Sequence, residues 1–350
     1  MRSSPLLALL VLLTAGGCNH TYPNPFAAQE RSQDPSAGAA LLFTSSAWAT
    51  QPGSGREIFS ANADGSAVTR LTYCNDANPC DTIEAAIASD RNRTEVRRIT
   101  GAATGPALIY LDLQRAAQAS IIPASQQVSG IDWSPQGDVI VFSALRGGAG
   151  AGGPEDLYRV DPDGQNSSDL TCSQSTGLLA CDATVKERRP RIDPTGNVAV
   201  YEHIDPTGLG AIFVFENTAS KVQLTSGGTP GPPLPGTPYI VGSDADPAYS
   251  PDGLSVAFRR LTGLGQNGLG TWDIMTIHAD GTAPTVVATG PLFRGAPDWG
   301  TPGLVFAETD TAAGTTTLVL VQPDGSGRRA LVTQGAAFNL SFPRWLPGSR

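Results

Sequence analysis

The chain has 350 residues, a formal net charge of −9 and only 16% charged residues. An acidic chain without a basic patch lacks the footprint of a nucleic-acid-binding protein, so no nucleic-acid partner is predicted. The 40 glycines and 28 prolines exceed average usage, and residues 40–350 show no amphipathic helical pattern. This composition favours short strands separated by turns.

The first residues have the pattern of an export signal. A positive charge at Arg2 is followed by a short apolar run, residues 6–13, and then by small residues before Cys18. The apolar run is too short to cross a bilayer, which takes about 20 residues. We therefore predict that residues 1–17 are a signal peptide.

The cysteine that follows the small residues resembles the bacterial lipobox, in which the cysteine is lipidated and becomes the mature N-terminus. The resemblance implies that a lipid on Cys18 attaches the protein to a membrane, and Asn19 at the next position favours the outer membrane, with the domain facing the periplasm. Residues 18–39 are small and polar, as in a flexible tether. An ordinary secreted protein with a free Cys18 is the alternative.

The four remaining cysteines form two close pairs, each after a Leu-Thr sequence. We expect disulfides between Cys74 and Cys80 and between Cys172 and Cys181, because an exported chain meets an oxidising compartment. A zinc site is the alternative. Zinc sites favour about two to four residues between paired cysteines, whereas these pairs enclose five and eight and have no histidine nearby. No metal or other cofactor is predicted.

One motif recurs along residues 40–350. The motif begins with an aromatic or apolar residue, which is followed by a turn similar to Ser-Pro-Asp-Gly and then by an alternating apolar strand. A third strand, an Asp-Gly turn and a fourth strand come next. The copies occupy residues 84–99, 131–142, 190–201, 247–258 and 297–306. The aromatic or apolar position recurs at Trp133, Ile192, Tyr249, Trp299 and Trp345. The pattern predicts four antiparallel strands per repeat.

The two ends of this region carry complementary half-repeats. Residues 342–348 supply a first strand with its turn, and residues 40–43 supply a second strand. Joining them would complete a sixth repeat and remove open sheet edges. We therefore predict an all-β fold over residues 40–350, a six-bladed β-propeller of four-stranded antiparallel blades, closed by the C-terminal strand joining the N-terminal blade.

These repeats resemble the WD40-like repeats of the TolB propeller family, and the resemblance spans nearly all of residues 40–350. It implies a propeller fold and a place in the cell envelope. TolB also has an N-terminal α/β domain, for which residues 40–350 leave no room. TolB proteins interact with peptidoglycan-associated lipoprotein. Because the N-terminal domain is missing from residues 40–350, the resemblance supports this partner only weakly.

Long connections are predicted to gather at one end of the propeller, which we call the long-loop face. They are residues 51–55, 74–80, 147–154, 172–181, 226–238 and 263–270. Binding residues usually lie on loops held by a rigid scaffold, so we expect this face to bind an envelope protein or a glycan. Drift in loop length is the alternative, because surface insertions cost little.

Four charged residues immediately precede the recurring aromatic or apolar position: Asp132, Arg191, Asp298 and Arg344. They are candidates to face the central channel. A set of structural ion pairs is the favoured interpretation, and a small-ligand site in the channel is the alternative.

The sequence shows no set of residues typical of an enzyme of the related propeller classes. It has no Gly-x-Ser-x-Gly elbow, and His20, His203 and His278 lie far apart. Residues 161–166 resemble part of a calcium loop, but they lie at the Asp-Gly turn shared by the other repeats. The leading hypothesis is a non-catalytic, lipid-anchored scaffold that binds through its long-loop face. The alternative is a hydrolase or lyase that acts at the channel mouth.

Overall fold

The computed structural model describes residues 38–46, 55–72, 80–88, 93–100, 106–112, 117–148, 153–172, 182–216, 220–265, 269–338, 340–346 and 348. The described chain is almost entirely β-sheet, with three one-turn 3-10 helices at Ala124–Gln126, Arg146–Gly148 and Ala336–Phe338. Among these residues no helix has the length and apolar character needed to cross a membrane. The all-β class is therefore confirmed.

The strands are numbered in chain order. They are β1 (Leu41–Ser45), β2 (Glu57–Ala61), β3 (Thr69–Arg70), β4 (Cys80–Ile87), β5 (Arg93–Thr100), β6 (Ala107–Asp112), β7 (Ala117–Ile122), β8 (Gly130–Trp133), β9 (Ile140–Leu145), β10 (Glu155–Val160), β11 (Ser168–Asp169), β12 (Lys186–Ile192), β13 (Val198–Ile204), β14 (Gly210–Glu216), β15 (Ser220–Gln223), β16 (Asp244–Tyr249), β17 (Ser255–Leu264), β18 (Gly270–His278), β19 (Thr285–Ala288), β20 (Phe293–Arg294), β21 (Asp298–Gly300), β22 (Gly303–Asp310), β23 (Thr315–Val321), β24 (Arg329–Gly335) and β25 (Ser341–Trp345).

Most sheets follow the predicted repeat. Strands β4 to β7 form one four-stranded sheet and β16 to β19 another, and β20 and β21 together serve as a split first strand beside β22, β23 and β24. Strands β8 to β15 form one larger sheet, in which two four-stranded halves meet at a single parallel bridge between Glu155 and Lys186. All other strand pairs among the described residues are antiparallel, as tight turns between successive strands require.

The half-repeats at the two ends of the chain form one four-stranded sheet, in the order β25–β1–β2–β3. Leu41 of β1 lies opposite Ala61 on one side and Trp345 on the other. Trp345 is fully buried, and its indole N–H donates to the Gly303 carbonyl at 3.0 Å. The C-terminal strand is thus held both by β1 and by the neighbouring sheet.

The Ser-Pro-Asp-Gly motif builds the turn between β16 and β17. The Ser250 hydroxyl donates to the Asp252 carboxylate at 2.6 Å and accepts the Ser255 N–H at 2.9 Å. Gly253 has a φ of 72°, in the left-handed region that glycine adopts without steric cost. The recurring motif therefore reflects a turn closed by its own side chains.

The core lies between neighbouring sheets. Because strand side chains alternate, Leu42 and Phe43 enter different cores. Leu42 packs with Ile109 of the β4–β7 sheet, whereas Phe43 packs with Val305 and Leu318 of the β20–β24 sheet. Each sheet is covered on both faces, which explains why the strands contain near-continuous apolar runs.

Candidate functional site

The first strands of the repeats lie next to one another near the middle of the molecule. Strand β4 contacts β8, β8 contacts β12, β12 contacts β16, β16 contacts β21, β21 contacts β25, and β25 contacts β4. The recurring aromatic or apolar residue lies at or next to the end of five of these strands, β8, β12, β16, β21 and β25. Residues just before it are therefore brought together from repeats that are far apart in sequence.

The four charged residues singled out in the sequence meet at this place. The Arg191 Nη1 atom lies 3.3 Å from Asp298 Oδ1, and the Arg344 Nη1 atom lies 3.8 Å from Oδ1 of both Asp132 and Asp298. All four side chains are at most 9% exposed. The two arginines and two aspartates balance in charge, as buried charges must if they are to remain ionised.

The two aspartates also join the backbones of neighbouring repeats. Asp132 Oδ2 accepts the Ile192 N–H at 2.9 Å, and Asp298 Oδ2 accepts the Trp345 N–H at 2.7 Å. Each carboxylate thus accepts a charge-assisted hydrogen bond from the strand of the following repeat. These contacts give the aspartates a structural role.

A second layer of charge lies two residues earlier in the strands. Arg189 Nη1 is 3.1 Å from Glu84 Oε2, Arg189 Nε is 3.4 Å from Asp246 Oδ1, and Glu84 also accepts a 2.5 Å hydrogen bond from Arg344. We call the two layers together the inner ion network. Sequence reasoning missed this layer. The signal available for it was a charged residue two positions before a predicted channel residue, as Arg189 is to Arg191.

Backbone irregularities direct this second layer inward. Arg189 and Asp246 have φ values of 54° and 50°, and each lies where the register of its strand shifts. Gly130 occupies the corresponding position in β8, where an added Cβ would lie 2.7 Å from the Arg189 Cα. The glycine therefore makes room for the neighbouring strand to approach.

One further carboxylate, Glu202, and the tyrosine Tyr239 lie beside Asp246 at the long-loop end of the network. The Tyr239 hydroxyl donates to Glu202 Oε1 at 2.8 Å, and the Asp246 N–H donates to Glu202 Oε2 at 3.3 Å. Burial raises the pKa of Glu202, and the adjacent Asp246 carboxylate raises it further. Burial also acts to raise the pKa of Asp246, but Arg259 and Arg189 outweigh it and lower the value to about 2. The two carboxylates therefore differ in their readiness to hold a proton.

Loop 226–238 is packed against the domain. Leu234 and Tyr239, just beyond the loop, are buried in a cluster with Leu261 and Trp272. The Tyr239 and Trp272 rings meet edge to face, with centroids 5.5 Å apart. This proline-rich connection therefore covers the network at the long-loop end, while residues such as Thr229 stay exposed.

A cavity of about 220 Å³ lies at the other end, where the Ser-Pro-Asp-Gly turns are. Asp132, Arg191 and Asp298 contribute to its lining, together with the half-buried rings of Tyr249 and Trp299. Sequence reasoning identified the charged members and kept a small-ligand site in the channel as an alternative. It did not locate the cavity, because the relative position of turns in different repeats depends on how the strands pack.

Among the described residues, Asp156, Asp169 and Cys172 have potential metal-ligand atoms within 4.8 Å of one another. Asp156 already forms two hydrogen bonds with the Arg146 guanidinium, at 2.5 and 2.7 Å. Asp169 Oδ1 accepts the Thr171 and Cys172 N–H groups. Local partners thus already use these carboxylates, and a disulfide at Cys172 would remove the thiolate ligand.

The calcium-like residues 161–166 form a turn that satisfies itself. Asp163 Oδ1 accepts the Gln165 N–H at 2.9 Å, and Asp161 Oδ2 accepts the Asn166 side-chain amide at 2.6 Å. The Asp-Gly turn at Asp64 has the same bond to the residue two positions later. The structure therefore favours an Asp-Gly turn closed by its own hydrogen bonds over a calcium loop at residues 161–166.

Several predicted features lie wholly or partly outside the described residues. The residues that are not described include 1–37, which contain Cys18, and also Cys74 and Cys181. Cys80 begins β4, and Cys172 is buried after β11. The signal peptide, the lipidation and both cysteine pairings therefore stay predictions.

No family model and no curated protein matches the chain. Solved structures do match. A TolB from Acinetobacter baumannii gives a TM-score of 0.63 at 16% identity, covering 88% of this chain and 66% of that one. A TolB-type structure from Agrobacterium tumefaciens gives 0.57 at 12% identity, covering 88% and 98%. An oligogalacturonate lyase in complex with manganese gives 0.50 at 13% identity, covering 84% and 73%. The chain therefore has a TolB-like β-propeller fold.

Proposed function

We propose that this protein is a lipid-anchored scaffold of the cell envelope, which binds a protein or a glycan through its long-loop face. The observation that carries the proposal is the packing of loop 226–238, whose buried Leu234 and neighbouring Tyr239 fix an exposed proline-rich surface on the domain. A preorganised loop loses little conformational freedom on binding, which favours affinity.

The scaffold is proposed to be a closed ring of six four-stranded blades. Support comes from the cyclic order of contacts among the first strands and from the pairing of β25 with β1. A closed ring has no open sheet edge at its seam, so the loops of its faces are held in fixed relative positions.

The proposed location is the outer membrane, with the propeller in the periplasm. It rests on the lipobox-like residues before Cys18 and on the TolB-like fold. The inner ion network supports a scaffold rather than an enzyme, because its carboxylates bind arginines and backbone N–H groups and thereby stabilise contacts between repeats.

The alternative is an enzyme that acts at the channel mouth. One observation favours it: the buried pair Glu202 and Asp246 has a raised and a lowered pKa, as an acid and a base would. Tyr239 and its loop cover this pair, however, so a substrate would need the loop to move.

Site-specific photo-cross-linking in intact cells tests the scaffold proposal. Cross-linking amino acids would replace Thr229 and Pro235, which are exposed on loop 226–238, and Leu254, which is exposed on a turn at the opposite end. We expect one envelope component to be captured from the first two positions and not from Leu254. Equal capture from all three positions, or none from the loop, would contradict the proposed face.

A further inference from the structure

The cavity at the turn end combines both signs of charge. Asp132 and Asp298 line it from two repeats, Arg191 lines it from a third, and Arg344 lies 3.8 Å from both aspartates. The Arg344 Nη1 atom is buried and has no hydrogen-bond acceptor among the described residues. Arg344 is not part of the lining itself, so its charge acts on the cavity through the two aspartates that it pairs with.

This arrangement discriminates against charged ligands. A carboxylate that approaches Arg191 also meets Asp132 and Asp298, and an ammonium group that approaches the aspartates meets Arg191 and Arg344. A hydroxyl group faces neither repulsion, since it can donate to a carboxylate and accept from a guanidinium. The lining therefore fits a neutral ligand with several hydroxyl groups.

The remaining lining adds shape and size. Tyr249 and Trp299 are half-buried in the cavity wall, where their rings offer flat apolar surfaces. The volume of about 220 Å³ lies below the range of roughly 300–1,000 Å³ that is typical of drug-sized ligands. A single six-membered ring with an apolar C–H face and polar edges matches both properties.

We propose that the turn-end cavity is a binding site for one pyranose unit of a neutral sugar. Its ring packs on Tyr249 and Trp299, and its hydroxyl groups bond to Asp132, Asp298 and Arg191. This site lies at the end opposite loop 226–238, so it is separate from the proposed long-loop face. Failure of either proposal leaves the other intact.

Saturation-transfer NMR on the full-length mature protein in detergent tests this site. The probes are glucose, galactose and N-acetylglucosamine, with galacturonate and glucosamine as charged comparators. We expect at least one neutral sugar to show saturable binding. Its affinity should be at least about tenfold higher than that of its charged comparator, which corresponds to one favourable contact. Absence of binding for all three neutral sugars, or equal binding of charged ones, would overturn the proposal.

Variants locate the binding. Tyr249→Leu removes the aromatic face and Arg191→Gln removes the guanidinium, and each is expected to weaken sugar binding by about tenfold or more. Val222→Ser, on the exposed outer strand β15, is the matched control and should leave it unchanged. Circular dichroism spectra that match the parent protein show that the variants are folded. Sugar binding that survives both cavity substitutions in folded protein would place the sugar elsewhere.

Discussion

At the scale of single residues, buried ion pairs join repeats that are far apart in the sequence. Asp132, Arg191, Asp298 and Arg344 were recognisable because each precedes a recurring aromatic or apolar residue. Glu84, the partner of Arg344, belongs to a degenerate repeat whose turn motif is lost. Its place opposite an arginine some 260 positions away depends on the meeting of first strands, which no local pattern encodes.

The ionised carboxylate of Asp169 lowers the stability of the folded state at neutral pH. Burial raises its pKa from 3.8 to about 6, and the nearby Asp156 carboxylate adds to this. The folded state therefore takes up a proton at higher pH than the unfolded state, so this group's contribution to stability grows as pH falls from about 7 towards 4.

We expect Asp169→Asn to raise the free energy of unfolding at pH 8 by on the order of 1 kcal/mol, a value discounted for partial exposure. The gain should vanish near pH 4, because the parent carboxyl is then protonated in the folded state. Urea unfolding at several pH values measures it. Asp64→Asn is the control of opposite sign, since hydrogen bonds from Ser66 lower the pKa of Asp64. A gain that is independent of pH would contradict this account.

At the scale of elements, periodicity and turn motifs predicted the four-stranded repeat well, because each turn closes with local bonds. The position of loop 226–238 was not predictable in the same way. Proline content indicated a stiff connection, but the attachment of Tyr239 to Glu202 and Trp272 joins residues from three different elements.

Strand β25 offers a matched pair of tryptophans that tests its anchoring. Trp345 is fully buried between sheets, whereas Trp299 occupies the corresponding position in another repeat and is half-buried. We expect Trp345→Ala to lower the free energy of unfolding by about 3–5 kcal/mol, the usual cost of truncating a buried tryptophan. Trp299→Ala should lower the free energy of unfolding by clearly less, because this side chain is only half-buried. Denaturant unfolding of both variants measures the difference, and equal losses would show that β25 is not a special anchor.

At the scale of the whole molecule, the proposed attachment to a membrane depends on the predicted lipid at Cys18. We expect Cys18→Ser to release the protein from the membrane fraction while leaving its circular dichroism unchanged, because the first described strand begins only at Leu41. Fractionation of cells and mass spectrometry of the N-terminal peptide measure the change. In an enterobacterial host, Asn19→Asp should keep the lipid but move the protein to the inner membrane. Membrane retention of the serine variant would refute the anchor.

The pairing of β1 with β25 also sets the order of events when the protein is made. The ribosome completes Leu41 long before Trp345, its partner across the sheet. The first sheet must therefore wait for the last residues to emerge, and such distant pairing slows folding. The delay suits the export that is proposed for this chain, because an unfolded chain can pass through a secretion channel until its final strand has been made.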